Sequence, residues 1–196
     1  MVHKDRSKNM NKKEILIAFG GNLPHEGEDP REIMPRAIAA LAESGLAADV
    51  VSPLYQTPCF PAGAGPDYVN GALKIVSNMP AEEVLATLHR VEAMFGRERK
   101  SRWAGRPLDL DLLAVGAELF PNVTTWRHWY DLPLEKQKQI APEELILPHP
   151  RLQDRGFVLV PLADVAPDWK HPVLGKTVRQ MVQELPPEAV SEVVRL

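Results

Sequence analysis

Leu108-Asp109-Leu110-Asp111-Leu112 alternates apolar and acidic residues, and strict alternation specifies a half-buried strand. A period of two sends Leu108, Leu110 and Leu112 to one face and Asp109 and Asp111 to the other. The two acidic Cα atoms then lie ~6.5–7 Å apart, at a rise of ~3.3 Å per residue. Carboxylates at that spacing can converge on a pair of hard cations, which two-metal sites hold ~3.5–4 Å apart. Magnesium takes one or two carboxylates and completes its shell with substrate phosphates. Just upstream, Arg97, Arg99, Lys100, Arg102 and Arg106 crowd a segment with Trp103, Gly105 and no apolar stripe, which reads as an exposed, mobile loop. Alone, Asp-x-Asp is a solvated strand face, and clustered arginines are a solvated surface or a general anion patch. Their adjacency, with opposite charge, points to polyphosphate chemistry.

The chain has 196 residues, enough for one domain with a real core. Its net charge of −3 argues against wholesale electrostatic binding to nucleic acid. A single cysteine, Cys59, excludes an internal disulfide and a cysteine-based zinc site. No apolar run approaches the length of a membrane span, and the polar start is no signal peptide. The expectation is a cytoplasmic protein, with residues 1–13 as a disordered leader and 14–196 as one domain.

Ile15–Phe19 is a short apolar run ended by Gly20-Gly21-Asn22, hence a central strand and a turn that either ends it or cradles an anion. A first helix starts with Asp29 as N-cap and Pro30 at its first position, and Gly45 closes it. Leu46 to Tyr55 and Tyr68 to Val76 read as strands flanking a Pro/Gly-rich loop. Pro80 to Phe95 is the clearest helix, with Val84, Leu85, Leu88, Val91, Glu92 and Phe95 at helical spacing before Gly96. With the Asp-Leu-Asp strand this makes an α+β fold, a ferredoxin-like β-α-β-β-α-β antiparallel sheet with helices. Phe120 to Pro142 inserts after that strand, with two possible short helices and enough aromatics to pack onto the body. A C-terminal extension follows, with a helix from about Thr177 to Leu185, while Asp154 to Leu159 receives no assigned element.

Seven blocks in order resemble the 6-hydroxymethyl-7,8-dihydropterin pyrophosphokinases of folate biosynthesis. They are Ala18-Phe19-Gly20-Gly21-Asn22-Leu23, Tyr55-Gln56-Thr57-Pro58, Pro66-Asp67-Tyr68-Val69-Asn70, Gly96-Arg97-Glu98-Arg99, Arg106-Pro107-Leu108-Asp109-Leu110-Asp111-Leu112, Leu147-Pro148-His149-Pro150-Arg151 and Arg155-Gly156-Phe157-Val158-Leu159-Val160-Pro161-Leu162. Such enzymes transfer pyrophosphate from ATP to the pterin hydroxymethyl group and release AMP.

The resemblance implies that Asp109 and Asp111 hold two Mg2+ ions, with Arg97 and Arg106 acting on the transferred group. It puts Thr57, Pro58, Phe60, Tyr68, Asn70 and Phe157 at the pterin, with Tyr68 and Phe157 stacking on its faces. His89, Glu92, Arg97, Arg99, Arg106, Leu112, His149 and Arg155 match positions at the ATP co-substrate. His89 stands where some relatives carry Gln. The partners implied are ATP and the pterin, with neither nucleic acid nor membrane; a monomer is expected, though the sequence does not give that state. From the residues alone, Tyr68 and Phe157 are equally core aromatics, Glu92 a solvated helix residue, His149 a turn histidine and Arg155 a helix-end arginine.

Two other readings stand beside this one. An RNA-binding module of the same fold would expose aromatics on its central strands and a basic sheet face, but Ile15–Phe19 and Leu108–Leu112 carry aliphatics and acids there. A regulatory ligand-binding domain would leave Asp109 and Asp111 merely solvated.

Overall fold

The computed structural model describes residues 12–59, 65–96 and 105–196. The elements run β1 (Lys13–Gly21), α1 (Pro30–Glu43), β2 (Val50–Val51), β3 (Tyr55–Thr57), β4 (Tyr68–Ser77), α2 (Ala81–Met94) and β5 (Asp109–Val115). After these come α3 (Val123–Tyr130), α4 (Leu134–Gln139), α5 (Gly156–Val165), α6 (Val178–Glu184), α7 (Pro187–Ser191) and β6 (Val194–Arg195). This is a mixed fold of helices on an antiparallel sheet. Among the described residues the sheet has six strands in the order β5-β1-β4-β3-β6, with β2 also paired to β4.

The first helix starts as the sequence specifies. The Asp29 side chain accepts from the Arg31 and Glu32 amides, the Glu32 side chain accepts from the Asp29 amide, and Pro30 opens the helix. Gly45, past its end, adopts φ +89°, a conformation that only glycine takes at no steric cost. The second strand differs from expectation. Leu46 to Tyr55 is not one run but β2 and β3, separated at Ser52–Leu54. Pro53 has no amide hydrogen to continue a ladder, and the Ser52 hydroxyl instead accepts from the Ala72 amide at 2.9 Å. Lys13, assigned to the leader, already pairs with Ser77 in β1, while residues 1–11 lie outside the described residues.

Two apolar layers hold the sheet. On one face, Ile15, Ile17, Leu73, Leu108, Leu110 and Leu112 pack against α1 and α2. On the other, Leu16, Ala18, Ala72, Leu113 and Ala114 pack against Val158, Leu159 and Leu162 of α5 and Met181 of α6. A bulge lies at Leu113, since Ile17 pairs with Leu112 and Leu16 with Ala114. The alternation of β5 is therefore broken beyond Leu112, and Leu113 and Ala114 both join the α5 layer. No described helix is long and apolar enough to cross a membrane.

Trp126 of α3 is fully buried, stacks on Tyr130 at 4.9 Å and donates its indole N–H to the Pro148 carbonyl. The edge of His171 meets it at 5.2 Å. The His171 Nδ1 accepts from the Val173 and Leu174 amides, so its proton sits on Nε2. Burial pushes its pKa down to about 4. A folded-state pKa below the unfolded value means that the unfolded chain takes up a proton the folded chain refuses. Stability is then complete above pH ~6.5 and falls as pH drops toward 4, by at most ~1.4 kcal/mol per pH unit for this group. Urea unfolding of wild type and His171→Phe at pH 7.5 and 5 checks this: the variant should lose less stability between the two pH values.

Candidate functional site

Cross-strand register gathers the expected residues on one sheet face. Tyr55 pairs with Asn70, Asn70 with Gly20 and Gly20 with Asp109, forming a row across β3, β4, β1 and β5. One step along, Thr57 pairs with Tyr68. One step the other way, Ala72 pairs with Ala18 and Ala18 with Asp111. Paired residues share a face, so Thr57, Tyr68, Asn70, Asp109 and Asp111 all look the same way. With strands ~4.8 Å apart, Asn70 and Asp109 stand ~10 Å from each other across Gly20. A Cβ on Gly20 would come within 2.5 Å of the Asn70 Oδ1, so glycine leaves the floor of this trough open.

The α5 helix covers this face over Ala18 and Ala72 and starts where the trough begins. Its first residues carry Arg155 as N-cap and Phe157, with no side-chain cap on the helix amides. Phe157 is 40% exposed, so the core-packing reading fails for it. The Arg155 guanidinium lies 5.7 Å from its ring centre. Arg155 thus begins a helix and does not end one. A cation at the positive end of a helix dipole repels it, and an anion bound there would relieve both. Sequence periodicity misses α5 altogether, because Phe-Val-Leu-Val-Pro-Leu has no polar side.

On the pterin-expected side, Asn70 donates from Nδ2 to the Thr57 hydroxyl at 2.7 Å, and both residues are buried. Pro58 is exposed beside them and Tyr68 half-buried. Burial raises the Tyr68 pKa, Arg106 opposes that shift, and Cys59 and Asp109 add to it, which puts this phenol within electrostatic reach of the acidic end. Phe60 lies outside the described residues, as do Arg97, Arg99 and the rest of 97–104, including the expected mobile loop.

At the acidic end, the Arg106 guanidinium donates to Asp109 Oδ1 at 3.0 Å. A cation taken by Asp109 would compete with that bond. Among the described residues there is no cluster of three or more His, Cys, Asp or Glu suited to a metal. Two half-buried carboxylates on one face are instead a donor set for magnesium that arrives with phosphate oxygens. They do not resemble a closed structural centre.

The outer edge of β5 is capped from two sides. Glu92 of α2 is 1% exposed, and its Oε1 accepts from the Leu110 amide at 2.7 Å. It is no solvated helix residue; it fixes the strand between the two aspartates. His89, one turn earlier, is exposed on the same helix, and the Leu112 side chain points into the α1–α2 core. These three therefore lie at the edge and on the reverse of the face that bears Asp109 and Asp111. Farther along the edge, the His149 amide donates to the Leu113 carbonyl at 2.8 Å. The His149 Nδ1 accepts from the Arg151 amide at 3.1 Å, leaving Nε2 protonated and a donor. Loss of water around the ring, with Arg155 and Arg151 nearby, pushes its pKa down to about 3. It is a neutral imidazole at physiological pH.

Asn22 has a part that the sequence reading did not give it. Its Nδ2 donates to the Pro66 carbonyl at 3.1 Å, and its Oδ1 accepts from the Arg106 amide at 3.0 Å. Its own amide donates to the Arg106 carbonyl at 2.9 Å. One buried amide thus ties the chain after β1 to the chain before β4 and the chain before β5. These partners are far apart in sequence, so no local pattern could have revealed them.

The model of the family described as 7,8-dihydro-6-hydroxymethylpterin-pyrophosphokinase (HPPK) matches residues 16–167. A 2-amino-4-hydroxy-6-hydroxymethyldihydropteridine pyrophosphokinase of Pseudomonas aeruginosa is 37% identical over 82% of this chain and 85% of its own length. One of the same name from Synechocystis sp. is 34% identical over 89% of this chain and 77% of its own. Among solved structures, an HPPK-DHPS in complex with substrates aligns with a TM-score of 0.59 at 13% identity over 88% of this chain. The wild-type Plasmodium falciparum HPPK-DHPS aligns at 0.58 with 14% identity over 88%. The chain spans under half of those two proteins, 43% and 44%, and at such identities the likeness concerns the fold. Taken with the row of residues across the sheet, the family match and the two relatives make this chain a member of the 7,8-dihydro-6-hydroxymethylpterin-pyrophosphokinase family.

Proposed function

We propose that this protein transfers pyrophosphate from ATP to the hydroxymethyl group of 6-hydroxymethyl-7,8-dihydropterin, releasing AMP, in folate synthesis. The observation that carries the reading is the row Asn70–Gly20–Asp109, which sets the buried Asn70–Thr57 pair and the two acids side by side on one sheet face. A flat ring with hydrogen-bonding edges lies against Thr57 and Asn70, with Tyr68 and Phe157 at its faces and Pro58 and Phe60 at its margin. Its hydroxymethyl arm points toward Asp109 and Asp111.

Asp109 and Asp111 would hold two magnesium ions, which when bound would supply charge neutralisation for the phosphates. Arg106 then leaves its pairing with Asp109 for the transferred group, and Arg97 acts beside it. Neutral His149, donating from Nε2, and Arg155, at the start of α5, bind phosphate oxygens, with Arg99 as a further cation. His89, Glu92 and Leu112 border the nucleotide at the edge of β5. For Glu92 the hydrogen bond to Leu110 supports a positioning part, and for Leu112 the buried side chain leaves its backbone to do any contacting.

We also read β1-α1-β2/β3-β4-α2-β5 as a ferredoxin-like unit in which β2 and β3 are one split strand, and 120–142 as an insertion. The order β5-β1-β4-β3 supports this. The enzyme is taken to work as a cytoplasmic monomer. Helices on both sheet faces disfavour the RNA-binding alternative, which needs an open face.

Incubation with ATP, magnesium and the pterin alcohol tests the function: AMP and a diphosphorylated pterin should appear together in equal amounts. Production of ADP, or of AMP without the pterin, would sink it. Tyr68→Ala and Phe157→Ala test the pocket. Each should raise the pterin KM about 10-fold or more and the ATP KM far less, since stacking and apolar burial are lost only on that side. The melting temperature of Phe157→Ala should change little, because its ring is half in solvent. An equal rise in both KM values would return these residues to the core.

A further inference from the structure

The family match ends at residue 167, yet residues 186–196 come back to the two elements that flank the pterin pocket. The strand β6 pairs with β3, Tyr55 opposite Arg195 and Gln56 opposite Val194. The Leu196 amide adds a bond to the Leu54 carbonyl at 2.9 Å. Without β6, β3 would be a three-residue edge strand held from one side, and Thr57 is its last residue. The α7 helix meanwhile lies on the start of α5: a Cβ on Gly156 would overlap the Ala189 carbonyl oxygen. Gly156 stands between Arg155 and Phe157, so backbone of the tail sets how that corner of the pocket sits.

A third tie joins the same two elements directly. The Tyr55 hydroxyl donates to Asp164 Oδ2 at 2.7 Å, linking β3 to the far end of α5. Tyr55 is buried, and its pKa is pushed up to about 12, by burial first and then by the Asp164 carboxylate, with Arg195 opposing. It remains a donor at any physiological pH. Tyr55 and Thr57, two residues apart on a strand, share a face, and Phe157 and Asp164, seven apart on a helix, share a side. The Tyr55–Asp164 bond thus joins the strand that ends at Thr57 to the helix that carries Phe157 in its first turn.

We propose that β6, α7 and the Tyr55–Asp164 bond form a latch that holds β3 against α5 and so sets the width of the pterin pocket. Tyr55, Asp164 and the tail are positioning elements and touch no reacting atom. The inference rests on the pterin reading of Thr57 and Phe157.

Steady-state kinetics with each substrate varied separately tests it on Tyr55→Phe, Asp164→Asn, Asp164→Ala and a chain ending at Glu192, with Phe157→Ala as the reference for the pocket. Losing one charge-assisted hydrogen bond should raise the pterin KM about three- to tenfold in Tyr55→Phe. The ATP KM should rise less, within about twofold, because of the ATP residues only Arg155 sits on the latched helix. Asp164→Asn should behave as wild type, since an amide oxygen still accepts from the phenol. Asp164→Ala should match Tyr55→Phe, and the two together should be no worse than either. The shortened chain should raise the pterin KM further; if it fails to fold, the full-length Tyr55→Phe decides. An unchanged pterin KM in Tyr55→Phe, while Phe157→Ala raises it, overturns the latch and leaves the pocket standing. An unchanged pterin KM in Phe157→Ala overturns the pocket reading, and the latch with it. Equal rises in both KM values with a lower melting temperature overturn the latch in favour of general stability.

Discussion

Asp109→Ala and Asp111→Ala are each expected to lower kcat/KM by about 10³-fold or more while the protein melts near the wild-type temperature. Loss of a metal ligand removes several kcal/mol of charge stabilisation from the transferring phosphoryl groups, and each ~1.4 kcal/mol is tenfold in rate. The stability side is small for a different reason. Both carboxylates are half-buried, facing the trough and not the core. The Asp109 pair with Arg106 is partly exposed, at 22% and 28% for the two side chains, so it contributes ~1 kcal/mol at most. The two variants should separate in one respect. Asp109→Ala removes the ion pair with Arg106, whereas Asp111→Ala leaves it intact, so only the first should reduce the salt sensitivity of the melting temperature. AMP formation and thermal unfolding on the same preparations read both effects. A folded variant with normal turnover would falsify the metal assignment.

The acidic face of β5 was legible because its signal is local. Period two within Leu108–Leu112 states which residues share a side, and the register agrees, pairing Asp111 with Ala18 and Asp109 with Gly20. The α1 start was legible for the same reason, its capping groups lying three residues apart. The sequence could not show where the periodicity ends. The bulge at Leu113 depends on how β1 pairs, and β1 is far away in the chain. Nor did it show α5, whose apolar run packs against the sheet on one side and α6 and α7 around it, leaving no polar stripe to count. Glu92 read as solvated because charged residues on helices mostly are. Its burial follows from a strand amide that needs an acceptor at an open edge, a need that arises only once β5 is outermost in the sheet. Of the candidate site, the family resemblance supplied the list, and the register shows that Thr57, Tyr68, Asn70, Asp109 and Asp111 share one sheet face.

Gly21→Ala is the second substitution expected to do large harm, although it adds a single methyl group. Gly21 ends β1 opposite Val69, and its φ demands no glycine. The requirement is space: a Cβ there would overlap the Pro107 carbonyl oxygen and stand 2.8 Å from its carbon. Those are backbone atoms and cannot rotate aside as a side chain would. Pro107 is moreover held in place, because Arg106 just before it exchanges hydrogen bonds with Asn22, and β5 begins just after it at Asp109. The methyl group must therefore push the Arg106–Asp109 segment off the sheet or bend the end of β1, at a cost of ~1–3 kcal/mol typical of overpacking. At this chain length that lowers the melting temperature by ~2–4 °C per kcal/mol. Catalysis should suffer more than stability, since a shift near 1 Å in Asp109 and Arg106 can cost ~10²-fold in rate. Gly65→Ala is the control, its added Cβ finding only ordinary contacts at 3.6 and 3.8 Å, to Cys59 Sγ and Asn22 Nδ2. Thermal unfolding and AMP formation should show Gly65→Ala near wild type in stability and Gly21→Ala impaired in both. A Gly21→Ala protein with wild-type melting and turnover would mean that the Pro107 backbone yields freely, and the rigid approach of β1 to the start of β5 would have to be abandoned.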